Sequence, residues 1–441
     1  MEEGDGSLGD LEGRLLNEDK LPKKIKTIII ILIIIVLLLI ASIIFLAIYF
    51  TIIQDKEKES NNQDNKKSEE DYLLEINGFK EEWYDLYGTR RINISYLEND
   101  VIPNTFRKGK SNYIEELGDI NEGKDYTKHD VNVYDLYIPH SVLSRKDKHN
   151  GVILFVHGGG FENNTKEETE CFAIRFCKMG YITANIEYTN TLDKYKERGF
   201  FRILDEITAC IKSIKKELVS EGFNGDLLEL SLYGISAGGQ LILLYTFSVN
   251  DIPLPIKFIM NSVGVSSIEP EYWYKPAIPN VTLDSIEFVE DIENAKRNKS
   301  IVPVDQSLVL HITNLMVGKK LSQKDLESLI VDNVIQTDDP KYQEIFKYAK
   351  YGCPLYVYKN KNCTVPMLCL YGGNDDLVGV VHYSYLREKY VENGGENNIE
   401  LVYMKYAGHE RFHHGTEHDI IAMKEMHAKM VAYAKKYFTQ D

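Results

Sequence analysis

Cysteine is scarce in this chain and positive charge is outweighed. The 441 residues hold six cysteines, too few for a disulfide scaffold, and none falls in a C-x-x-C pair. Cys171, Cys177 and Cys210 lie in helical patterns and read as core residues. A location outside the cytosol would allow a disulfide among Cys353, Cys363 and Cys369. Against 67 acidic residues stand 51 basic ones, a net charge of −16, which argues against nucleic acid as a partner. Metal-binding signatures are also missing. His409, His413, His414 and His418 crowd together near the C-terminus, with His414 and His418 four apart. No H-E-x-x-H motif and no carboxylate set accompanies them. No metal and no cofactor is expected.

Charge is absent altogether from residues 27–53 (TIIIILIIIVLLLIASIIFLAIYFTII). As a helix rising about 1.5 Å per residue this run reaches about 40 Å, more than the roughly 30 Å of a bilayer's hydrocarbon. It is too long for a cleaved signal peptide and lacks a small-residue cleavage site. A single transmembrane helix is expected, after a disordered tail (1–26) and before a polar stalk (54–71). Lys20, Lys23, Lys24 and Lys26 outnumber Lys56 and Lys58 close to the membrane, which favours a cytoplasmic N-terminus. The remainder, 72–441, would then be lumenal, extracellular or periplasmic. N-x-S/T sequons at Asn93, Asn163, Asn280, Asn298 and Asn362 all fall on that side.

What is present in 72–441 alternates between strand and helix patterns. The stretch FKEEWYDLYG (79–88) reads as an aromatic-rich helical beginning. Strands are expected near 131–138, 152–156, 181–187, 228–233, 256–262, 365–371 and 399–406. Helices are expected near 167–178, 202–218, 240–247, 380–392 and 420–437. The five-residue run VILFV (152–156) is fully apolar, as in a central strand covered on both faces. Such alternation implies an α/β domain with a mostly parallel sheet and helices on both faces. Residues 266–352 interrupt the rhythm with helical patterns near 284–296, 305–317, 322–334 and 340–351. They are expected to form a helical cap over the site.

The chain is organised around Gly234-Ile235-Ser236-Ala237-Gly238-Gly239. A G-x-S-x-G between a strand and a helix turns sharply enough to strain and expose Ser236. Gly234 and Gly238 give the strand and helix room to approach. The alternative is a Gly-rich turn whose serine caps the helix. Three further segments, each after a predicted strand, supply what a nucleophilic serine needs. His157-Gly158-Gly159-Gly160 offers unobstructed N–H groups for an oxyanion, with the N–H of Ala237; His157 itself reads as fixing that loop. Gly372-Gly373-Asn374-Asp375-Asp376 offers an acid, with Asp375 favoured over Asp376. Ala407-Gly408-His409-Glu410 offers the base. The chain order Ser236, Asp375, His409 suits acyl-transfer chemistry in such a domain.

These segments resemble the α/β-hydrolase fold, and in particular the hormone-sensitive-lipase-like esterases. HGGG at 157–160 is similar to that family's oxyanion motif, and GISAGG at 234–239 to its serine elbow, where an acidic residue is more usual than Ile235. GGNDDLV at 372–378 and AGHE at 407–410 resemble its acid and base segments. CPLYVY at 353–358 resembles a Pro-containing segment ahead of the acid strand. The resemblance covers about 131–437 and implies Gly159, Gly160 and Ala237 as oxyanion donors. An N-terminal membrane anchor ahead of such a domain is similar to the arylacetamide deacetylases. The resulting expectation is a membrane-anchored serine carboxylic ester hydrolase acting on a partly apolar small-molecule ester. The same triad would serve an amidase, formamidase or peptidase, and the fold would also permit a catalytically silent binding module.

Overall fold

The computed structural model describes residues 81–97, 101–107, 124–190, 199–269, 274–276, 301–303, 306–318, 321–332, 334–358, 363–373, 375–404, 407–409 and 417–441. All of them belong to one unit of the chain, Glu69–Asp441. The expected transmembrane run, tail and stalk lie outside the described residues, as does the helical pattern at 284–296. Among the described residues no helix is long and apolar enough to cross a membrane.

Eight strands form the central sheet: β1 Gly88–Ser95, β2 Val133–Pro139, β3 Asn150–Val156, β4 Ile182–Glu187, β5 Leu228–Ile235, β6 Ile256–Ser262, β7 Met367–Gly372 and β8 Ile399–Met404. Their spatial order is β1-β2-β4-β3-β5-β6-β7-β8. β1–β2 and β2–β4 pair antiparallel, and every later pair is parallel.

The apolar run of β3 is explained by its two covered faces. Val152, Leu154 and Val156 enter one core with helices α2 (Phe200–Ser220), α3 (Ala237–Ser248) and α8 (Val381–Glu392). Ile153 and Phe155 enter the other with α1 (Glu170–Lys178) and α9 (Glu417–Tyr437). Each such side chain, fully buried, stabilises by about 1.5–3 kcal/mol. The layering sends the carboxyl ends of β3, β5, β7 and β8 to one edge of the sheet, where open α/β sheets hold ligands.

One expectation at the N-terminal side needs correction. Residues 81–87 form no helix; Trp83 instead packs edge-on against Tyr87 and Tyr137 at 6.0 and 5.3 Å. Strand β1, which follows, was not expected. Its sequence, GTRRINIS, lacks a clean apolar alternation because it is an edge strand held by ion pairs. Arg90 pairs with Glu170 of α1, and Arg91 pairs with Glu217 (3.0 Å) and Glu221 at the end of α2. A bulge between Arg91 and Ile94, with Asn93 at φ 55°, further blurs the period.

The insertion holds α4 (Gln306–Met316), α5 (Gln323–Ser328), α6 (Pro340–Ala349) and, after it, the short α7 (Pro354–Tyr358). α5 opens with a capping box between Ser322 and Asp325 but stops early. The helix expected through 334 gives way to a hairpin pairing Ile330–Val331 with Val334–Ile335. Its four β-branched residues favour strand over helix, and Asp332 takes the left-handed turn position at φ 51°. All six cysteines are free, so no disulfide joins Cys353, Cys363 and Cys369. Cys353 and Cys369 are buried in the core, Cys369 within β7.

Candidate active site

Ser236 sits between β5 and α3 at φ 54°, ψ −116°, a conformation that costs a non-glycine residue about 1–3 kcal/mol. The packing around it enforces the turn. A Cβ on Gly234 would lie 2.3 Å from the carbonyl oxygen of Gly238, and one on Gly238 would lie 2.2 Å from that of Val156. The Ser236 N–H is held by the carbonyl of Ser262 at 2.8 Å. Its side chain makes no capping bond to α3. The hydroxyl faces His409 instead, with Oγ 2.9 Å from Nε2.

His409 reaches this position on the loop after β8. A Cβ on Gly372 would lie 2.2 Å from the Ala407 carbonyl, so only glycine at the end of β7 lets the two loops meet. His409 Nδ1 lies 2.9 and 3.1 Å from the two oxygens of Asp375. A carboxylate accepts, so Nδ1 carries the hydrogen and Nε2 keeps its lone pair toward Ser236. Asp375 is 1% exposed and is fixed in turn by the N–H groups of Leu377 (2.9 Å) and Val378 (2.8 Å). Asp376 beside it is exposed. His413 and His414 lie outside the described residues, and His418 falls within α9.

The HGGG loop leaves β3 in left-handed backbone. Gly159, Gly160 and even Phe161 have φ of 97°, 61° and 67°. The Gly159 carbonyl accepts from Glu162 and Asn163 N–H groups at 3.0 and 2.9 Å, closing the turn. Gly158 N–H donates to Glu168 Oε2 at 2.8 Å. His157 is fully buried and stacks on Tyr188 with ring centres 4.1 Å apart. Burial pushes its pKa down to about 4, so the ring is neutral at physiological pH. The Tyr188 hydroxyl donates to the carbonyls of His157 (3.0 Å) and Gly158 (3.1 Å). Tyr188 and Glu168 are functional candidates that motif reading passed over. Each acts from another segment by contact, and the flat burial of β4 gives Tyr188 no signal of its own.

Ser236, Ala237, His409, Gly159 and Gly160 line one cavity of about 840 Å³. Much of its remaining wall is apolar, with Phe161, Val265, Leu377 and Val378. Helix α4 of the insertion adds Leu308, His311, Ile312 and Leu315. His311 Nε2 of α4 lies 3.2 Å from Glu162 Oε2 of the HGGG loop, joining insertion and loop at the cavity.

Strand order, with antiparallel strands at one edge and a strained serine turn after β5, defines an α/β-hydrolase fold. The chain belongs to the BD-FAE family, whose model matches residues 134–390. No curated protein matches it. Among solved structures, it is similar to a truncated carbohydrate esterase from gut microbiota. That match is 12% identical, covers 80% of this chain and 100% of the other, and has a TM-score of 0.47. Esterase B from Lactobacillus rhamnosis is 13% identical, with 88% and 95% covered and a TM-score of 0.47. A butyrate-bound thermophilic esterase from the Planctomycetes species Thermogutta terrifontis is 15% identical, with 70% and 92% covered and a TM-score of 0.43. Similarity this low leaves the fold assignment to rest on the chain's own topology and family match.

Proposed function

We propose that the chain is a membrane-anchored serine hydrolase of carboxylic esters. The observation that supports this is the hydrogen-bonded line from Ser236 Oγ–H to His409 Nε2 and from His409 Nδ1–H to Asp375, opening on the cavity. In this reading His409 takes the proton of Ser236 as its oxygen attacks the ester carbonyl. The resulting imidazolium is held by Asp375. Oxyanion charge is met by the N–H groups of Gly159, Gly160 and Ala237, each donor of this kind being worth about 10²–10³ in rate. His409 then gives its proton to the leaving alcohol. Water repeats the sequence on the acyl-enzyme and restores Ser236.

Residues 266–352 act as the cap, and the apolar residues of α4 favour a partly apolar substrate. No cofactor enters the reaction. Residues 27–53 anchor the protein, with the N-terminus cytoplasmic and the catalytic domain lumenal, extracellular or periplasmic; the uncharged run and its lysine flank support this. Two experiments test the reading. The full chain is expected to hydrolyse short- and medium-chain p-nitrophenyl esters, with Ser236→Ala lower in kcat by about 10⁴ or more. Failure of both proteins to turn over any ester, while folded, would overturn the chemistry. Alkaline carbonate extraction is expected to leave the chain in the membrane fraction, and its release would overturn the anchor.

A further inference from the structure

Behind the HGGG loop lies a buried pair of groups that the chemistry above does not use. His157 Nδ1 is 3.0 Å from the Gly158 carbonyl. A carbonyl only accepts, so Nδ1 carries the ring's hydrogen and Nε2 of the neutral ring is a bare acceptor. That Nε2 is buried and has no hydrogen-bond partner. The polar atom facing it is Glu187 Oε1 at the end of β4, 3.8 Å away.

Glu187 has reason to hold a proton. Its residue is 7% exposed, and Oε2 already accepts from the Lys166 N–H at 2.7 Å, which leaves Oε1 for His157. The Lys166 ammonium is bound elsewhere, by Asp135 Oδ2 at 3.0 Å and Glu167 Oε1 at 2.5 Å. Asp135 and Glu167 add negative charge nearby, while the Lys166 N–H and ammonium pull the other way, toward the carboxylate. The Tyr96 hydroxyl donates to the main-chain carbonyl of Glu187, and that of Tyr188 to the carbonyls of His157 and Gly158. Burial is the largest cause raising the Glu187 pKa to about 7.

We propose that Glu187 is protonated on Oε1 and donates that hydrogen to His157 Nε2, and that this single proton positions the Gly158–Gly160 loop. The O–H bond stays on Glu187 and no charge is transferred. An approach of about 1 Å brings the pair to ordinary hydrogen-bond length. Above the pKa a carboxylate faces the Nε2 lone pair, and the loop that His157 and Tyr188 hold shifts away from Ser236. Glu187 is thus a positioning residue, and its kinetic role rests on reading this loop as the oxyanion donor.

The test uses the full chain as wild type, Glu187→Gln and Glu187→Met. Infrared difference spectra across pH read the proton without any need for activity. A protonated-carboxyl C=O band is expected in wild type, lost with a midpoint near pH 7 and absent from Glu187→Gln. Asp205, whose pKa burial also raises, to about 8, keeps its own band in both. In kinetics, wild-type kcat is expected to fall about tenfold above pH 7. Gln keeps one donor for Nε2 and one acceptor for Lys166, so Glu187→Gln should hold its rate to pH 9. Glu187→Met, with neither, should be slower by about tenfold at every pH. Absence of the band, or an alkaline fall unchanged in Glu187→Gln, overturns the proposal. A band that behaves as expected in a protein hydrolysing no ester would confirm the proton pair and overturn the esterase reading.

Discussion

Asp375→Asn isolates the orienting acid with almost no change of volume. Asp375 Oδ1 accepts from the N–H groups of Leu377 and Val378 at 2.9 and 2.8 Å, and Oδ2 lies 2.9 Å from His409 Nδ1. Asparagine must keep its single oxygen toward the two backbone donors, because an NH₂ there would leave both unpaired. Its NH₂ then points at His409 Nδ1. Nδ1 must accept, so the ring's hydrogen moves to Nε2 and faces Ser236 Oγ, where a lone pair is needed. The general base is lost while the geometry survives. A wrong tautomer of this kind costs about 10⁴ in kcat, on the order of 5.5 kcal/mol. KM should hold, since the interaction is realised in the transition state. Asp376→Asn, at an exposed carboxylate, should stay within about twofold. The assay is p-nitrophenyl butyrate hydrolysis at pH 8, with thermal melts to show both variants folded. Asp375→Asn retaining more than a tenth of kcat, or Asp376→Asn falling as far, would rule out Asp375 as the orienting acid.

Two further substitutions probe the backbone around the serine. Gly238→Ala would set a methyl 2.2 and 2.4 Å from the carbonyl oxygens of Val156 and His157, backbone that cannot swing aside. Thermal denaturation should show a loss of at least about 2 kcal/mol, with kcat down more than about 100-fold. Unchanged melting would mean the turn is looser than these distances imply. Tyr188→Phe removes one hydroxyl shared by two buried carbonyls of the HGGG loop. At about 1 kcal/mol per hydrogen bond, kcat should drop roughly tenfold with KM steady. A drop in KM affinity alone would place Tyr188 in substrate binding instead.

The sheet was legible where strands are buried on both sides. The run VILFV announces itself by unbroken apolarity, and β6, apolar at Ile256 and Phe258–Met260, matches its expected bounds of 256–262. β1 was not legible, because an edge strand fixed by Arg90 and Arg91 to acids on two helices carries no local pattern. The hairpin at 330–335 was hidden for a related reason: its residues fit a helical period as well as a strand, and only the turn at Asp332 separates the two. The Gly-rich turns at 158–160, 234–239 and 372 were readable because each marks a close backbone approach that no side chain survives. Tyr188, Glu168 and Glu187 are joined to the loop only by tertiary contact, across 10 to 31 residues of sequence. No spacing rule reaches them.

The chemistry stands or falls on Ser236 being a nucleophile. The direct measurement is reaction of the full chain with a fluorophosphonate, followed by mass spectrometry of the proteolysed protein. One stoichiometric adduct on Ser236 is expected, lost in Ser236→Ala and slowed strongly in Asp375→Asn. A folded wild-type protein that takes no label, or takes it on another residue, would contradict it.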